Sequence, residues 1–307
     1  MSEFLTTKEV AAYLRINEKR VYSLVENGGL PASKATGKWL FPKHLVRAWL
    51  ESQTLNHPKR RGVLDRTPSL LVVAGSNDPL LERCLDLFMR RAPEYTGVFG
   101  NLGSMGGIRS LRQGLCHIAT SHLAQEDGRE YNFSYLSREL EEQPAVIEFC
   151  RREQGLLLPR GNPLGIEDVA DVARRDLSIV TRQPGTGTRL WFDRALKQAG
   201  FPPEQLRGAS REMPRHLDAG LEVLAGRADA APGIRAVAGL LELDFLPVHW
   251  ERFDLLIDKE TFFQKPIQAF LATLHEDAFH EEAKRLTGYD LAQSSQMVYP
   301  SPDQEKE

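Results

Sequence analysis

The chain has 307 residues, 41% of them hydrophobic and 26% charged, which describes folded globular domains, about two of them, and excludes a disordered chain. No apolar run reaches the ~18 residues of a membrane-crossing helix, and the opening MSEFLTTKEV lacks the basic segment and apolar stretch of a secretory signal, so a cytoplasmic protein without membrane contact is expected. The net charge of −3 conceals an asymmetry: residues 1–67 hold 12 basic and 6 acidic residues (net +6), the rest 27 basic and 36 acidic (net −9), so a basic head suited to a polyanion precedes an acidic body.

The head opens with FLTTKEVAAYL, where Thr6 or Thr7 can cap a helix whose first turn holds Glu9 and whose apolar face is Val10, Ala11 and Leu14. Asn17 can cap a second helix facing inward through Val21, Leu24 and Val25. Only Arg15 and Ile16 separate the two, so they must cross sharply, as in a helix-turn-helix. NGGLP ends the second helix, ASKATGKWLF reads as a hairpin with Gly37 in its turn, and Pro42 opens a third helix with Leu45, Ala48 and Trp49 inward. The polar, basic segment HPKRRGVLDRTP, bracketed by prolines, reads as a tether, giving a head at 1–54, a linker at 55–68 and a body at 69–307.

From Leu70 the texture changes. SLLVVAG is a buried strand, SNDPLLERCLDLFMRRA a helix capped by Ser76 or Asn77, and YTGVFGNLG a strand leading into the helix SMGGIRSLRQGL. CHIATSHL, AVIEFC, GLLLP, LSIVTR and FDLLI are further short strands. Strands alternating with helices predict an α/β body with largely parallel sheets. Cys84, Cys116 and Cys150 form no CxxC pair and read as reduced, buried thiols.

Three strand-to-helix turns share one chemistry: VAGSND (73–78), NLGSMGG (101–107) and RQPGTGTR (182–189) each place Gly beside Ser or Thr at a helix start. The first N–H groups of a helix lack intrahelical partners, its dipole adds partial positive charge, and each hydroxyl can donate, which together suit an anion. There is no GxxxxGK[ST], full GxGxxG, HExxH or GxSxG, and no defensible metal cluster, paired carboxylates or activated nucleophile, so no enzymatic role, resident cofactor or metal is expected.

TTKEVAAYL, INEKRVYSLVENGGLPA and GKWLFPKHLVRAWL, in that order over 3–52, resemble the excisionase/MerR-type winged helix-turn-helix. The resemblance implies that the second helix enters the major groove of double-stranded DNA, with Asn17, Glu18, Lys19, Arg20 and Tyr22 facing bases and phosphates, and Lys34, Lys38 and Trp39 in the wing. The body resembles the type 2 periplasmic-binding-protein-like domain, in the version attached to bacterial regulators and related to molybdate/tungstate-binding proteins. AGSND, GSMGGIRSLRQGLCHIATSHL, REQGLLLPRGNP, GTGTR and the segment from GLEVLAGRADAAPGI to FDLLI carry the likeness.

This second resemblance implies two α/β lobes, about 69–145 with 254–307 and about 150–245, hinged near 144–155 and 244–254. A small anion would be clamped between them by Ser76, Asn77, Ser104, Met105, Thr186, Gly187, Thr188 and His216. The family's Thr-His pair reads Arg215-His216 here, and His117 stands where the family has an acidic residue. Neutral donors suit molybdate or tungstate; Arg189, pointing inward, would favour a carboxylate, and turned away it closes an internal salt bridge. The expectation is a cytoplasmic, homodimeric, ligand-responsive transcription regulator; the alternatives are an excisionase-like or architectural DNA binder and a molybdenum-handling protein.

Overall fold

A computed structural model describes residues 4–27, 29–34, 37–53, 67–125 and 130–300, so all of the linker except 67 and 68 lies outside the described residues. The chain divides between Arg61 and Gly62 into two compact units.

The first unit holds β1 (Phe4–Leu5), α1 (Thr7–Leu14), α2 (Glu18–Asn27), β2 (Phe41–Pro42) and α3 (Lys43–Ser52). Thr6 caps α1 in a full capping box: its hydroxyl accepts from Glu9 N–H while the Glu9 carboxylate accepts from Thr6 N–H. Arg15 ends α1 in the left-handed region at φ 54°, and the Asn17 side chain accepts from Arg20 N–H at 2.8 Å, starting α2. These two caps set the turn. Val10, Ala11, Val21, Leu30, Phe41 and Val46 form the core, with Trp39 and Trp49 half-buried against it. Two details differ from the sequence reading. Pro42 pairs with Phe4 in the small sheet, and α3 starts one residue later. Val46 takes the inward position, leaving Leu45 41% exposed; the side chain of Ala48 is outside the described set.

The second unit begins with β3 (Leu70–Gly75), α4 (Pro79–Arg91), β4 (Thr96–Asn101), α5 (Gly103–Arg112), β5 (Ile118–Ser121) and α6 (Phe133–Glu139). β3 lies between β4 and β5, parallel to both, as its unbroken apolar run requires. Two 14-residue strands follow at separate points of the chain, β6 (Ala145–Leu158) and β10 (Asp244–Ile257), antiparallel to each other along their whole length. Between them lie α7 (Asp171–Arg174), β7 (Thr181–Arg182), α8 (Gly187–Gln198), β8 (Glu212–Met213), α9 (His216–Leu224), β9 (Ala231–Ile234) and α10 (Arg235–Leu241). α11 (Lys265–Thr273), α12 (Asp277–Leu286) and β11 (Tyr289–Asp290) return to the first lobe.

The main sheet has seven strands in the order β11-β6-β10-β5-β3-β4, with β9 also on β6. It is mixed, not largely parallel: β6 and β10 cross from one lobe to the other and bring every antiparallel pairing with them. AVIEFC and the GLLL of GLLLP, read from sequence as two strands, are the two ends of β6, joined by Arg151, Arg152, Glu153 and Gln154. Each lobe buries helices on its sheet: Ile108, Leu111 and Phe133 in the first, Trp191, Phe192 and Leu196 in the second. All three cysteines are free and buried, and burial pushes the Cys116 thiol up to about 12.

Candidate functional site

The three glycine-hydroxyl turns, though far apart in sequence, meet where the lobes touch. Gly75 ends β3 at φ +138°, so close to its neighbour that a Cβ would lie 2.2 Å from Thr120 O. This delivers Ser76 and Asn77 to the cleft floor, both buried. Ser104 is buried at the start of α5, and Met105 N–H donates to Gly185 O at 3.4 Å across the cleft. Thr186 caps α8 by accepting from Arg189 N–H at 3.3 Å. Gly187 lies so near His122 that a Cβ would come within 2.4 Å of Nδ1. Asn101 of the first lobe donates to Pro214 O of the second at 2.8 Å.

The first turn works differently from the expectation. The N-cap of α4 is neither Ser76 nor Asn77 but Asp78, whose Oδ1 accepts from Leu80 N–H at 2.8 Å and Leu81 N–H at 3.2 Å. A carboxylate of the chain's own thus occupies the start of that helix, and α4 has no free N-terminus to offer a ligand. Ser76 and Asn77 serve through their side chains instead.

Arg152, wholly buried on β6, donates to Asp78 Oδ2 at 2.8 Å and to Glu251 Oε1, and lies 4.2 Å over the Phe253 ring. Glu251, on β10, also accepts from Gln154 Nε2 at 2.7 Å. Its other oxygen pairs with His122 Nδ1 at 2.7 Å, and His122 Nε2 stands 2.9 Å from Ser76 Oγ. Gln154 also donates to Thr188 Oγ1 at 2.9 Å and accepts from Trp191 Nε1 at 2.8 Å, linking the hinge strands to the second lobe. Burial opposes ionisation of Glu251, yet Arg152 and the hydrogen bonds from His122 and Gln154 hold its carboxyl below the usual range, so it is a carboxylate. Burial, outweighing the pull of Glu251 and aided by Arg152 and Arg182, drives His122 below the usual histidine range, so the ring is neutral.

Arg182, 1% exposed, is a second buried guanidinium with a different surrounding. Its Nε donates to Met213 O at 3.1 Å and its Nη2 to Pro214 O at 3.0 Å and Asn77 Oδ1 at 3.1 Å, all neutral acceptors. Among the described residues it makes no ion pair, and its Nη1, fully buried, has no hydrogen-bond partner in the protein. Burial, reinforced by the charge of Arg152, pulls it down to about 9, with Asp218 and Glu251 opposing only at longer range. His216, the first residue of α9, is wholly buried with both ring nitrogens unpartnered. Burial and the neighbouring Arg182, Arg152 and His122 hold it well below its ordinary value, hence neutral. Buried polar groups are nearly always paired. Here Arg182 Nη1, Arg152 Nη2 and both His216 ring nitrogens are left over, a set of donors chemically suited to an anion.

Of the residues named from sequence, Ser76, Asn77, Ser104, Met105, Thr186, Gly187, Thr188 and His216 lie in this region. Arg189 is corrected to the alternative already weighed. Its guanidinium pairs with Asp193 at 2.8 Å and Glu212 at 3.5 Å, and donates to Thr181 Oγ1 at 3.0 Å. The arginine that faces the cleft is Arg182, seven positions earlier at the start of the same stretch. His122, Arg152, Gln154 and Glu251 had no role assigned from sequence. His117 is structural, its Nδ1 accepting from Val72 N–H at 2.9 Å.

In the first unit, Asn17, Glu18, Lys19 and Arg20 lie exposed together at the start of α2, and Tyr22 is 40% exposed beside them. Lys34 and Lys38 are exposed on the hairpin closed by the Ser33–Leu40 bridge, with the Lys34 ammonium 5.5 Å over the half-buried Trp39 ring. A short capped turn thus presents the N-terminal end of α2 with Lys19 and Arg20 exposed, the geometry with which helix-turn-helix proteins address the major groove.

The fold and the site define a two-lobed ligand-binding domain behind a helix-turn-helix head. Residues 85–275 match the PBP superfamily domain and residues 4–54 a helix-turn-helix domain, so the chain belongs to the PBP superfamily. The Bacillus subtilis protein YvgK is 24% identical over 95% of this chain and 97% of its own length. A phosphate ABC transporter substrate-binding protein from Clostridium perfringens, solved with bound phosphate, shares the fold at a TM-score of 0.55 and 13% identity, covering 71% of this chain and 97% of its own. The regulatory domain of MetR, a LysR family regulator from N. meningitidis, does so at 0.51 and 13%, covering 75% and 100%. Among the described residues, no helix is long and apolar enough to cross a membrane.

Proposed function

We propose that the protein is a one-component transcription regulator in which a small oxyanion, bound between the lobes, alters DNA binding by the head. One observation carries the reading: among the described residues the buried Arg182 guanidinium has no ion pair and its Nη1 no partner, and it stands with the unpartnered His216 in a cleft closed by both lobes. An isolated buried cation is costly, and an anion removes that cost on binding. Molybdate and tungstate are among the anions that such neutral donors and one guanidinium could hold. The likeness to a regulator's effector domain supports a sensing role, and symmetric operators would be met by a homodimer in the cytoplasm. Binding shifts the protein between open and closed lobes only by the ligand's difference in affinity for the two.

Titration of a gel shift with each anion that raises the melting temperature tests this. The expected result is a changed operator affinity in the wild type and no response in Arg182→Ala; an unchanged affinity with every stabilising anion would contradict it. Arg20→Ala should weaken operator binding at physiological salt, as loss of a contact at the start of α2.

A second reading rests on the bonded order Ser76–His122–Glu251, which is that of a hydrolase triad. Hydrolysis of a small p-nitrophenyl ester by the wild type but not by Ser76→Ala would establish it.

A further inference from the structure

The hydrogen-bond polarity of the cleft narrows the ligand. Glu251 is a carboxylate and only accepts, so His122 Nδ1 carries the ring's proton. Because the ring is neutral, Nε2 is a bare lone pair, and Ser76 must donate its hydroxyl proton to it across 2.9 Å. Ser76 Oγ therefore presents lone pairs, not a proton, to its remaining surroundings. Thr186 is in the same position: its hydroxyl donates to Gln183 O at 2.8 Å and its oxygen accepts from Arg189 N–H. Two of the hydroxyls that sequence reasoning offered as donors thus have their protons engaged. Neutral His216 adds a second bare nitrogen beside its one N–H. Among the described residues, the donors left for a ligand are Arg182 Nη1, Arg152 Nη2, the His216 N–H, the Asn77 side-chain N–H groups, the Ser104 and Thr188 hydroxyls, and the first N–H groups of α8.

We infer that Ser76 is a fixed acceptor, so that the effector is an oxyanion bearing its own O–H, either hydrogen phosphate or a small hydroxy acid, in preference to a fully deprotonated tetrahedral dianion. This rests on the anion-binding reading of the same cleft. An oxygen of sulfate or molybdate placed against Ser76 Oγ would set lone pair against lone pair in a site sealed from water, and a buried mismatch of this kind discriminates strongly.

Calorimetric titration of the full chain with two matched pairs tests the inference: phosphate against sulfate in mildly alkaline buffer, where both are dianions and only phosphate keeps a proton, and glycolate against acetate. The O–H-bearing member of at least one pair should bind about 10–100-fold more tightly; which pair shows it tells an inorganic ligand from an organic one. In Ser76→Ala, a change too small to unfold the domain, the preference should fall towards one. In Glu251→Gln the side-chain amide can donate to Nδ1, moving the proton to Nε2 and freeing the Ser76 hydroxyl, so the preference should reverse towards sulfate or acetate. Equal or tighter binding of sulfate and acetate by the wild type, abolished in Arg182→Ala, would overturn the inference and leave the anion site standing. A preference that survives in Ser76→Ala would overturn it equally. Absence of binding by all four anions would overturn the inference, and the anion-site reading would fall with it if molybdate and tungstate also left the melting temperature unmoved.

Discussion

Arg152 and Arg182 are both sealed from solvent, one on a hinge strand and the other at the edge of the second lobe, yet their surroundings are opposite. Arg152 lies between two carboxylates, Asp78 and Glu251, and over an aromatic face, and these raise its pKa despite burial. Arg182 meets two carbonyls and an amide oxygen, and its pKa falls to about 9. The first has its charge balanced within the fold and ties the hinge to α4. The second has no carboxylate bonded to it among the described residues. The same side chain has its charge balanced where carboxylates surround it and is left without a bonded counter-charge where they do not.

The largest effect should follow from breaking the balanced side. Arg152→Ala leaves Asp78 and Glu251 buried without their cation and should cost about 3–5 kcal/mol of stability, read by denaturant unfolding. A loss below 1 kcal/mol would erase the contrast. Arg182→Ala should instead weaken anion binding by at least about 100-fold, the cost of removing one partner of a buried charged pair, measured by calorimetry. The contrast sharpens if its ligand-free stability changes much less than that of Arg152→Ala.

A third test uses pH. His216 is held below its ordinary value, so the stability linked to it is present above the unfolded pKa, about 6.5, and is lost as pH falls, because the unfolded chain then takes up a proton that the native ring resists. His216→Asn should flatten the decline of melting temperature below about pH 6.5, with His122 supplying what remains. The smallest effect belongs to Arg189→Ala. Its half-exposed partners make the pair worth roughly 0–1 kcal/mol, and anion affinity should stay within about twofold of wild type.

Much of this was legible in the chain. The Thr6–Glu9 capping box and the Asn17 cap announce the sharp turn of the head, because capping is local and needs no partner from elsewhere. The strand β3 and the three glycine turns were visible for the same reason. The hinge strands were not, because a strand that changes lobes carries polar residues such as Arg152 and Gln154 in its middle, which broke the apolar pattern into two short runs. Sequence alone does not single out Asp78 as the cap, because Ser76 and Asn77 stand just before it with the same chemistry. The exchange of Arg189 for Arg182 has a plainer cause. Both flank the same glycine turn, and what separates them is the company of Asp193 and Glu212 against that of Asn77 and Pro214, which only the folded chain reveals. His122 and Glu251, 129 positions apart, meet only through β10.

The most direct test compares thermal shifts of wild type and Arg182→Ala across phosphate, sulfate, molybdate, tungstate and small carboxylates. At least one anion should raise the melting temperature of the wild type and leave that of Arg182→Ala unmoved. Equal shifts in both proteins, or none in the wild type with any anion, would contradict the assignment of Arg182 as the anchor of an anion site.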